Sequence, residues 1–98
     1  MIWYEVTLEV EPELAPAIEA HMRQSHIPEI FATGCFRQIR FERSSPHRLR
    51  TCYGAALQSD LDRYLHEHAP ALRAQFQERF PQGVALSREV WVSQEIWE

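Results

Sequence analysis

The sequence predicts an α+β domain in which two strand–helix–strand units follow one another and one antiparallel sheet carries both helices on a single face. Three observations predict this class. Apolar and polar residues alternate strictly near both ends of the chain, the centre has the pattern of a hairpin, and each interval between them carries an apolar stripe at helical spacing. The 98 residues, 45% hydrophobic and 24% charged, are expected to form one domain over residues 1–98.

The first strand is predicted over residues 2–10, where apolar and polar side chains alternate for nine positions. A helix is expected to begin near Leu14, because Pro16 then falls in the first turn, where its missing amide hydrogen is tolerated. The apolar stripe of this helix consists of Leu14, Ile18 and Met22. The helix is expected to end near Ser25, since Pro28 disfavours helical geometry at the residue before it.

A second, two-turn helical segment is predicted to open at Pro28 and Glu29. Proline suits the first position of a helix, and a carboxylate is favourable at the positive end of the helix dipole. Gly34 follows the segment and is expected to take the left-handed conformation that ends many helices. The block from His26 to Phe36 is therefore predicted to be a helix junction followed by the start of a strand.

The central hairpin is predicted from two alternating runs, residues 35–43 and 48–57, which are joined by a turn that contains serine and proline. Two registers are open: Cys52 lies opposite Arg40 in one and opposite Ile39 in the other. Neither register brings Cys52 next to Cys35, so two buried, reduced thiols are expected.

The second helical region has an apolar stripe that consists of Leu61, Leu65, Leu72, Phe76 and Phe80. Pro70 interrupts this stripe, so a kink or a restart is expected after Ala69. A proline–glutamine–glycine sequence then ends the helix. The last strand is predicted over residues 84–97, where alternation returns.

The element order is βαββαβ, and right-handed crossovers then give a sheet of order 4-1-3-2 with two helices on one face. This is the ferredoxin-like arrangement. The opposite face of the sheet is predicted to carry four aromatic residues: Trp3, Phe36, Trp91 and Trp97. An uncovered sheet face is expected to be mostly polar. The aromatic residues therefore predict a homodimer packed sheet to sheet through them, and the plainer alternative is aromatic side chains at a wet surface.

Charge and composition argue against several classes of partner. The net charge is −4, and the ten cationic residues are scattered arginines, so nucleic acid binding is not expected. The chain has no lysine, which excludes Schiff-base chemistry on a lysine, and its spacing of histidine and cysteine predicts no metal site. No cofactor, no membrane span and no signal peptide are expected, and a cytoplasmic location is the default.

Candidate functional residues cluster at the predicted helix junction. His26 suits acid–base work near neutral pH, and Glu29 lies three residues on and is the second catalytic candidate. Thr33 is added as a ligand contact, and Tyr64 and Arg73 are expected to meet near the Pro70 kink. Each has a plainer role: His26 closes the helix end, Glu29 serves the helix dipole, Thr33 caps the helix, Tyr64 packs, and Arg73 forms a surface ion pair.

Several short segments together resemble the small bacterial proteins known as domain of unknown function 4286. The segments are Met1-Ile2-x-Tyr4-x-Val6-Thr7, His26-Ile27-Pro28-Glu29-Ile30, Ala32-Thr33-Gly34-Cys35-Phe36, Tyr64-Leu65 and Ala69-Pro70-Ala71-Leu72-Arg73. The resemblance covers nearly the whole chain, and it implies no activity. More distantly, the chain resembles the dimeric α+β barrel proteins, which include cofactor-poor monooxygenases, isomerases and lyases. That resemblance implies the fold, and fold does not fix function.

Three functional hypotheses follow. The first is a homodimer that binds a small molecule in a pocket near His26 and Glu29. The second is a cofactor-free enzyme of the dimeric α+β barrel type, with His26 as acid or base. The third is a protein-interaction module that uses the tryptophan-bearing sheet face. A cavity lined by His26 and a second titratable group would favour the enzyme, and a tightly packed interior would favour the interaction module.

Overall fold

The computed structural model describes residues 1–98 and has the predicted order of strands and helices. The strands are β1 Ile2–Val10, β2 Gln38–Ser45, β3 Arg48–Ala55 and β4 Val84–Val92. The helices are α1 Ala15–His21, α2 Ile27–Ala32, α3 Gln58–Arg63 and α4 Ala69–Arg79. The π-helical turns Met22–His26 and Tyr64–His68 join α1 to α2 and α3 to α4, and a 3₁₀ turn, Pro12–Leu14, precedes α1. No helix has the length and apolar character needed to cross a membrane.

The four strands form one antiparallel sheet in the order β2-β3-β1-β4, which is the predicted order 4-1-3-2 counted from the other edge. The fold is therefore the predicted ferredoxin-like arrangement. In the β2–β3 hairpin, Arg40 lies opposite Cys52, which selects one of the two open registers. Both cysteines are buried and free, as predicted.

The prediction that the first helix ends near Ser25 is wrong, because the helical path continues through a π turn into α2. Ile27 has helical angles, φ −65° and ψ −45°, and its N–H donates to the carbonyl of Met22, five residues back. This wider turn accommodates Pro28, which has no N–H to give and whose ring would crowd a tighter turn. The second helical region behaves in the same way, since Ala69, just before Pro70, donates to the carbonyl of Tyr64.

The π turn also explains an apolar spacing of exactly four residues in the first helical region. Ile18, Met22 and Ile30 are buried, and His26 falls between the last two at the same spacing. An α-helix has 3.6 residues per turn, so a strict spacing of four would drift around the helix axis. One wider turn reverses that drift and keeps the inward side chains on one face.

The core consists of two apolar clusters between the helices and the sheet. Phe36 belongs to the first cluster, which corrects its predicted place on the opposite sheet face. It precedes β2, is 4% exposed, and has its ring centroid 4.9 Å from that of Tyr64 and 5.3 Å from that of Tyr53. The reason is that β2 begins at Gln38, so strand alternation does not govern Phe36.

β4 is an edge strand that ends at Val92, so the predicted strand to residue 97 is too long. The register places Leu86 opposite Leu8 and Val90 opposite Tyr4, on the side of the sheet that carries the helices. Leu86 and Val90 are nevertheless 38% and 46% exposed, because the helices cover little of this edge. Trp97 lies beyond the strand and is exposed, and its indole N–H donates to a Glu95 carboxylate oxygen at 2.8 Å.

Candidate functional site

A cavity of about 310 Å³ lies between the helices and the sheet, and we call it the helix–sheet cavity. Both π turns contribute to its wall, and its mouth opens between α4 and the poorly covered edge strand β4. Most of its lining is apolar, as is usual for small-molecule sites. The lining residues are Tyr4, Val6, Leu8, Met22, His26, Ile30, Tyr53, Tyr64, Leu72, Arg73, Ala74, Phe76, Gln77, Leu86 and Arg88.

All three tyrosines of the chain line this cavity and pack against one another. The ring centroid of Tyr4 lies 5.8 Å from that of Tyr53 and 6.2 Å from that of Tyr64. Tyr4 and Tyr53 face the helices because they are opposite each other on β1 and β3, and Tyr64 comes down from the second π turn. The inner part of the cavity is thus an aromatic wall that suits flat or apolar ligand groups.

Tyr64 is a protonated phenol throughout the physiological pH range. Burial is the main cause that raises its pKa to about 12, and the neighbouring Tyr4 adds to the shift. Arg73 and Arg88 act in the opposite direction, but they do not overcome burial. Tyr64 makes no side-chain hydrogen bond within the chain, so its hydroxyl is available to a ligand.

His26 presents a neutral imidazole to the cavity. It is the last residue of the first π turn and is partly buried, with its ring centroid 5.6 Å from that of Phe76 and 5.8 Å from that of His21. Burial, and to a lesser degree the neighbouring His21, lowers the pKa of His26 to about 4. At neutral pH this side chain can accept a proton or a hydrogen bond, but it carries no charge.

Arg73 and Arg88 bring positive charge to the mouth from two different elements. Arg73 extends from α4, and its Nη2 donates to the hydroxyl oxygen of Tyr4 at 3.0 Å. Arg88 extends from β4, where it lies opposite Val6. No aspartate or glutamate lines the cavity, so nothing within it neutralises these guanidinium groups.

The structure brings together three of the five predicted ligand-binding residues. His26, Tyr64 and Arg73 line the same cavity, although they are up to 47 residues apart in sequence. Glu29 does not line it: Glu29 is exposed on the outer side of α2, one residue before the inward Ile30. Thr33 caps the helix instead, because its hydroxyl donates to the carbonyl of Ile30 at 2.7 Å and accepts from the N–H of Cys35 at 3.3 Å.

The sequence reasoning missed Tyr4, Tyr53 and Arg88 as cavity residues. The sequence carries a signal for Arg88, because Arg88 and the apolar Val90 are two residues apart and so lie on the same face of the last strand. Tyr4 and Tyr53 were not among the predicted site residues, and only their shared register across β1 and β3 shows that they meet at one cavity.

The side of the sheet away from the helices, which we call the open face, carries Trp3, Glu5, Gln38, Arg50, Cys52, Gly54, Glu89 and Trp91 among its residues. Trp3 lies flat across Gly54, and a Cβ atom at that glycine would stand 2.8 Å from the indole ring. The Arg40 guanidinium carbon covers the ring of Trp3 at 4.3 Å from its centroid. Trp91 is the cross-strand neighbour of Trp3 and is 52% exposed.

Ion pairs occupy the rest of the open face. Arg50 pairs with Glu42 at 2.7 Å and with Glu5 at 3.7 Å, and Arg48 pairs with Glu9 at 3.2 Å. Their side chains are largely solvated, so each pair contributes little to stability. No group of three histidine, cysteine, aspartate or glutamate side chains is placed to hold a metal ion.

A family model described as a domain of unknown function, DUF4286, matches residues 1–93. No curated protein matches the sequence. Solved structures of similar fold include Rv0793 from Mycobacterium tuberculosis, which is 18% identical with a TM-score of 0.70, the match covering 99% of this chain and 98% of that one.

Two further structures carry names that state an activity. A Deinococcus radiodurans protein assigned as an antibiotic biosynthesis monooxygenase is 16% identical with a TM-score of 0.68, and the match covers 100% of this chain and 97% of that one. SnoaB, a cofactor-independent oxygenase from Streptomyces nogalater, is 13% identical with a TM-score of 0.64, covering 97% and 94%. At these identities the similarity shows the ferredoxin-like fold alone.

Proposed function

The chain belongs to the DUF4286 family, a domain of unknown function, and we propose that it binds a small organic molecule in the helix–sheet cavity. The observation that carries this proposal is the cavity itself, where apolar and aromatic walls meet a few polar groups. Its volume of about 310 Å³ is at the lower end of the roughly 300–1,000 Å³ that ligand sites span, so the ligand is small. The helices and the sheet enclose this cavity, whereas a tightly packed interior would have favoured the interaction module.

Ala74 at the mouth of the cavity allows a direct test. Ala74→Trp places a large ring across the entrance and should abolish binding of small aromatic and aliphatic molecules, measured as thermal stabilisation or as chemical-shift changes. Ala71→Trp is the matched control, because Ala71 is exposed on the same helix and does not line the cavity. Equal binding by both variants would contradict the proposal, and so would the absence of any ligand in a broad screen of metabolites.

The site suits a second candidate, a cofactor-free enzyme, on the strength of His26. Its neutral imidazole and the Tyr64 phenol line the same cavity, so a proton acceptor and a hydrogen-bond donor are available there. Two similar structures carry oxygenase or monooxygenase names. If the wild-type protein consumes a ligand that His26→Ala binds but does not consume, the enzyme hypothesis is supported. If neither protein changes the ligand, the cavity is a binding site only.

We also propose that two copies pair through the open face. The tryptophan pair of β1 and β4 exposes an apolar area there, and the adjacent rows of arginine and glutamate can pair across a twofold axis. Of the four residues predicted for this interface, Trp3 and Trp91 lie on the open face, and Phe36 is in the core. Trp97 belongs to the exposed end of the chain.

A further inference from the structure

Neither arginine at the mouth of the helix–sheet cavity has a carboxylate partner, whereas most of the other arginines have one. Of the ten arginines, six have a carboxylate oxygen within 4.0 Å: Arg23, Arg40, Arg43, Arg48, Arg50 and Arg63. The other four, Arg37, Arg73, Arg79 and Arg88, have none, although the chain carries fourteen acidic residues and a net charge of −4. Arg73 and Arg88 are the two of these four that line the apolar cavity, where no acidic side chain accompanies them, so their placement calls for a negative partner from outside.

The two guanidinium groups are placed to act together. Arg73 is on α4 and Arg88 is on β4, so they line the mouth from the helix layer and from the sheet. Arg73 donates one hydrogen bond to the hydroxyl oxygen of Tyr4, and the remaining N–H groups of its guanidinium are free. Both arginines lie close enough to Tyr64 to favour its ionised form, which places their charge beside the same inner phenol.

The interior excludes a small inorganic anion as the whole ligand. Beyond the arginines the wall is formed by Tyr53, Ile30, Leu72 and other apolar side chains, and His26 is uncharged there. An inorganic anion would pair with the two guanidinium groups at the mouth and make no contact with this apolar wall. A neutral hydrocarbon would fill the interior and leave the guanidinium groups unpaired.

We propose that the ligand of the helix–sheet cavity is an organic acid with a compact apolar or aromatic body, whose anionic group is held between Arg73 and Arg88. The inference rests on the proposed binding function and adds the chemical class of the ligand. The body lies against Tyr53 and the neighbouring apolar wall, and the Tyr64 hydroxyl donates to an oxygen of the ligand. Arginine is suited to this task because its planar group offers paired N–H donors to a carboxylate.

The test uses pairs of probes that differ only in charge. Benzoate, 2-naphthoate and octanoate are each compared with the corresponding neutral primary amide by calorimetry at low salt. A charge-assisted hydrogen bond is roughly twice as strong as a neutral one, so the acids should bind roughly tenfold or more tightly than the amides. Their affinity should also fall as the salt concentration rises.

Arg73→Gln and Arg88→Gln should each weaken acid binding by roughly tenfold and leave amide binding nearly unchanged. Arg37→Gln is the matched control, since Arg37 is exposed and also lacks a carboxylate partner but does not line the cavity. All three residues are exposed, and a thermal melt checks that each variant is folded.

The outcomes separate the ligand class from the binding function. Acids and amides that bind equally would overturn the inference and keep the proposed function. Acid binding that survives both cavity variants, or that falls equally in Arg37→Gln, would overturn the assignment of the anion to the mouth. If no acid and no amide binds, the inference fails, and a ligand of another class in the Ala74→Trp screen would then preserve the binding function alone.

Discussion

His26 illustrates how one side chain can belong to both the core and the cavity. Its ring packs against Phe76 and near His21, and the same ring lines the helix–sheet cavity. The Nε2 atom of His21 is buried without a hydrogen-bond partner. Burial lowers the pKa of both imidazoles, so the native state disfavours the charged form of either ring. Arg79 adds to the lowering of the His21 pKa and Glu29 opposes it, whereas no carboxylate offsets the burial of His26.

Stability is therefore expected to depend on pH through His26. The unfolded chain takes up a proton near pH 6.5, and the native chain does so only near pH 4, because burial lowers the pKa of this group. The free energy of unfolding should rise with pH between about 4 and 6.5 and gain nothing from this group above that range. The full shift corresponds to as much as about 3 kcal/mol.

Urea unfolding across this pH range checks the expectation. His26→Gln should show a weaker dependence on pH than the wild-type protein, and His47→Gln, at an exposed turn, should keep the wild-type dependence. Parallel pH curves for His26→Gln and wild type would show that His26 is protonated alike in both states. A nuclear magnetic resonance titration of the ring gives the native pKa directly.

At the scale of the element, the two interrupted helices determine which residues reach the cavity. The prolines predicted a break, and the physical outcome is a wider turn, because tertiary packing keeps the helix axis continuous where local preference would end it. The inward spacing of four from Ile18 to Ile30 was visible in the sequence. This spacing indicates a continuous helical path only if one turn is a π turn, and the presence of a proline does not by itself predict a π turn.

Ile30 tests whether α2 keeps its inward register after the π turn. Ile30→Ala should lower the free energy of unfolding by about 2–4 kcal/mol, because Ile30 is 1% exposed and its removal enlarges the cavity. Phe31→Ala, one residue on and 54% exposed, should change it by no more than about 0.5 kcal/mol. The midpoint of denaturant unfolding, compared at equal dependence on denaturant concentration, gives the change in unfolding free energy for each variant. A similar decrease in the two variants would contradict the inward register of α2.

For the whole molecule, strand order and the side of the sheet that carries the helices could be predicted from alternation and connection rules, whereas the hairpin register stayed open between two alternatives. The candidate site was predicted in part: His26, Tyr64 and Arg73 meet at the cavity, and Glu29 and Thr33 do not. Glu29 does not line the cavity because the inward positions here are His26 and Ile30, four residues apart, and Glu29 lies one residue before the second of them. Tyr4 and Tyr53 required the register between β1 and β3, which is a property of the complete sheet.

The proposed pairing of two copies is tested at this scale by Trp91→Glu. A carboxylate in the exposed tryptophan patch, close to Glu89 and Glu5, should convert a dimer into a monomer at micromolar concentration. Phe31→Glu is the control, because Phe31 is equally exposed on α2, away from the sheet. Light scattering gives the mass, and a wild-type protein of monomer mass would rule out the proposed dimer.

The distribution of aromatic residues has a spectroscopic consequence. All three tyrosines line the helix–sheet cavity, whereas Trp3 and Trp91 lie on the open face and Trp97 lies near the end of the chain. The two proposed binding surfaces thus carry different natural chromophores. Tyrosine absorbance is an internal signal for events in the cavity, and the emission of Trp3 and Trp91 is a signal for events on the open face. Trp97→Phe removes the tryptophan that is not part of that face.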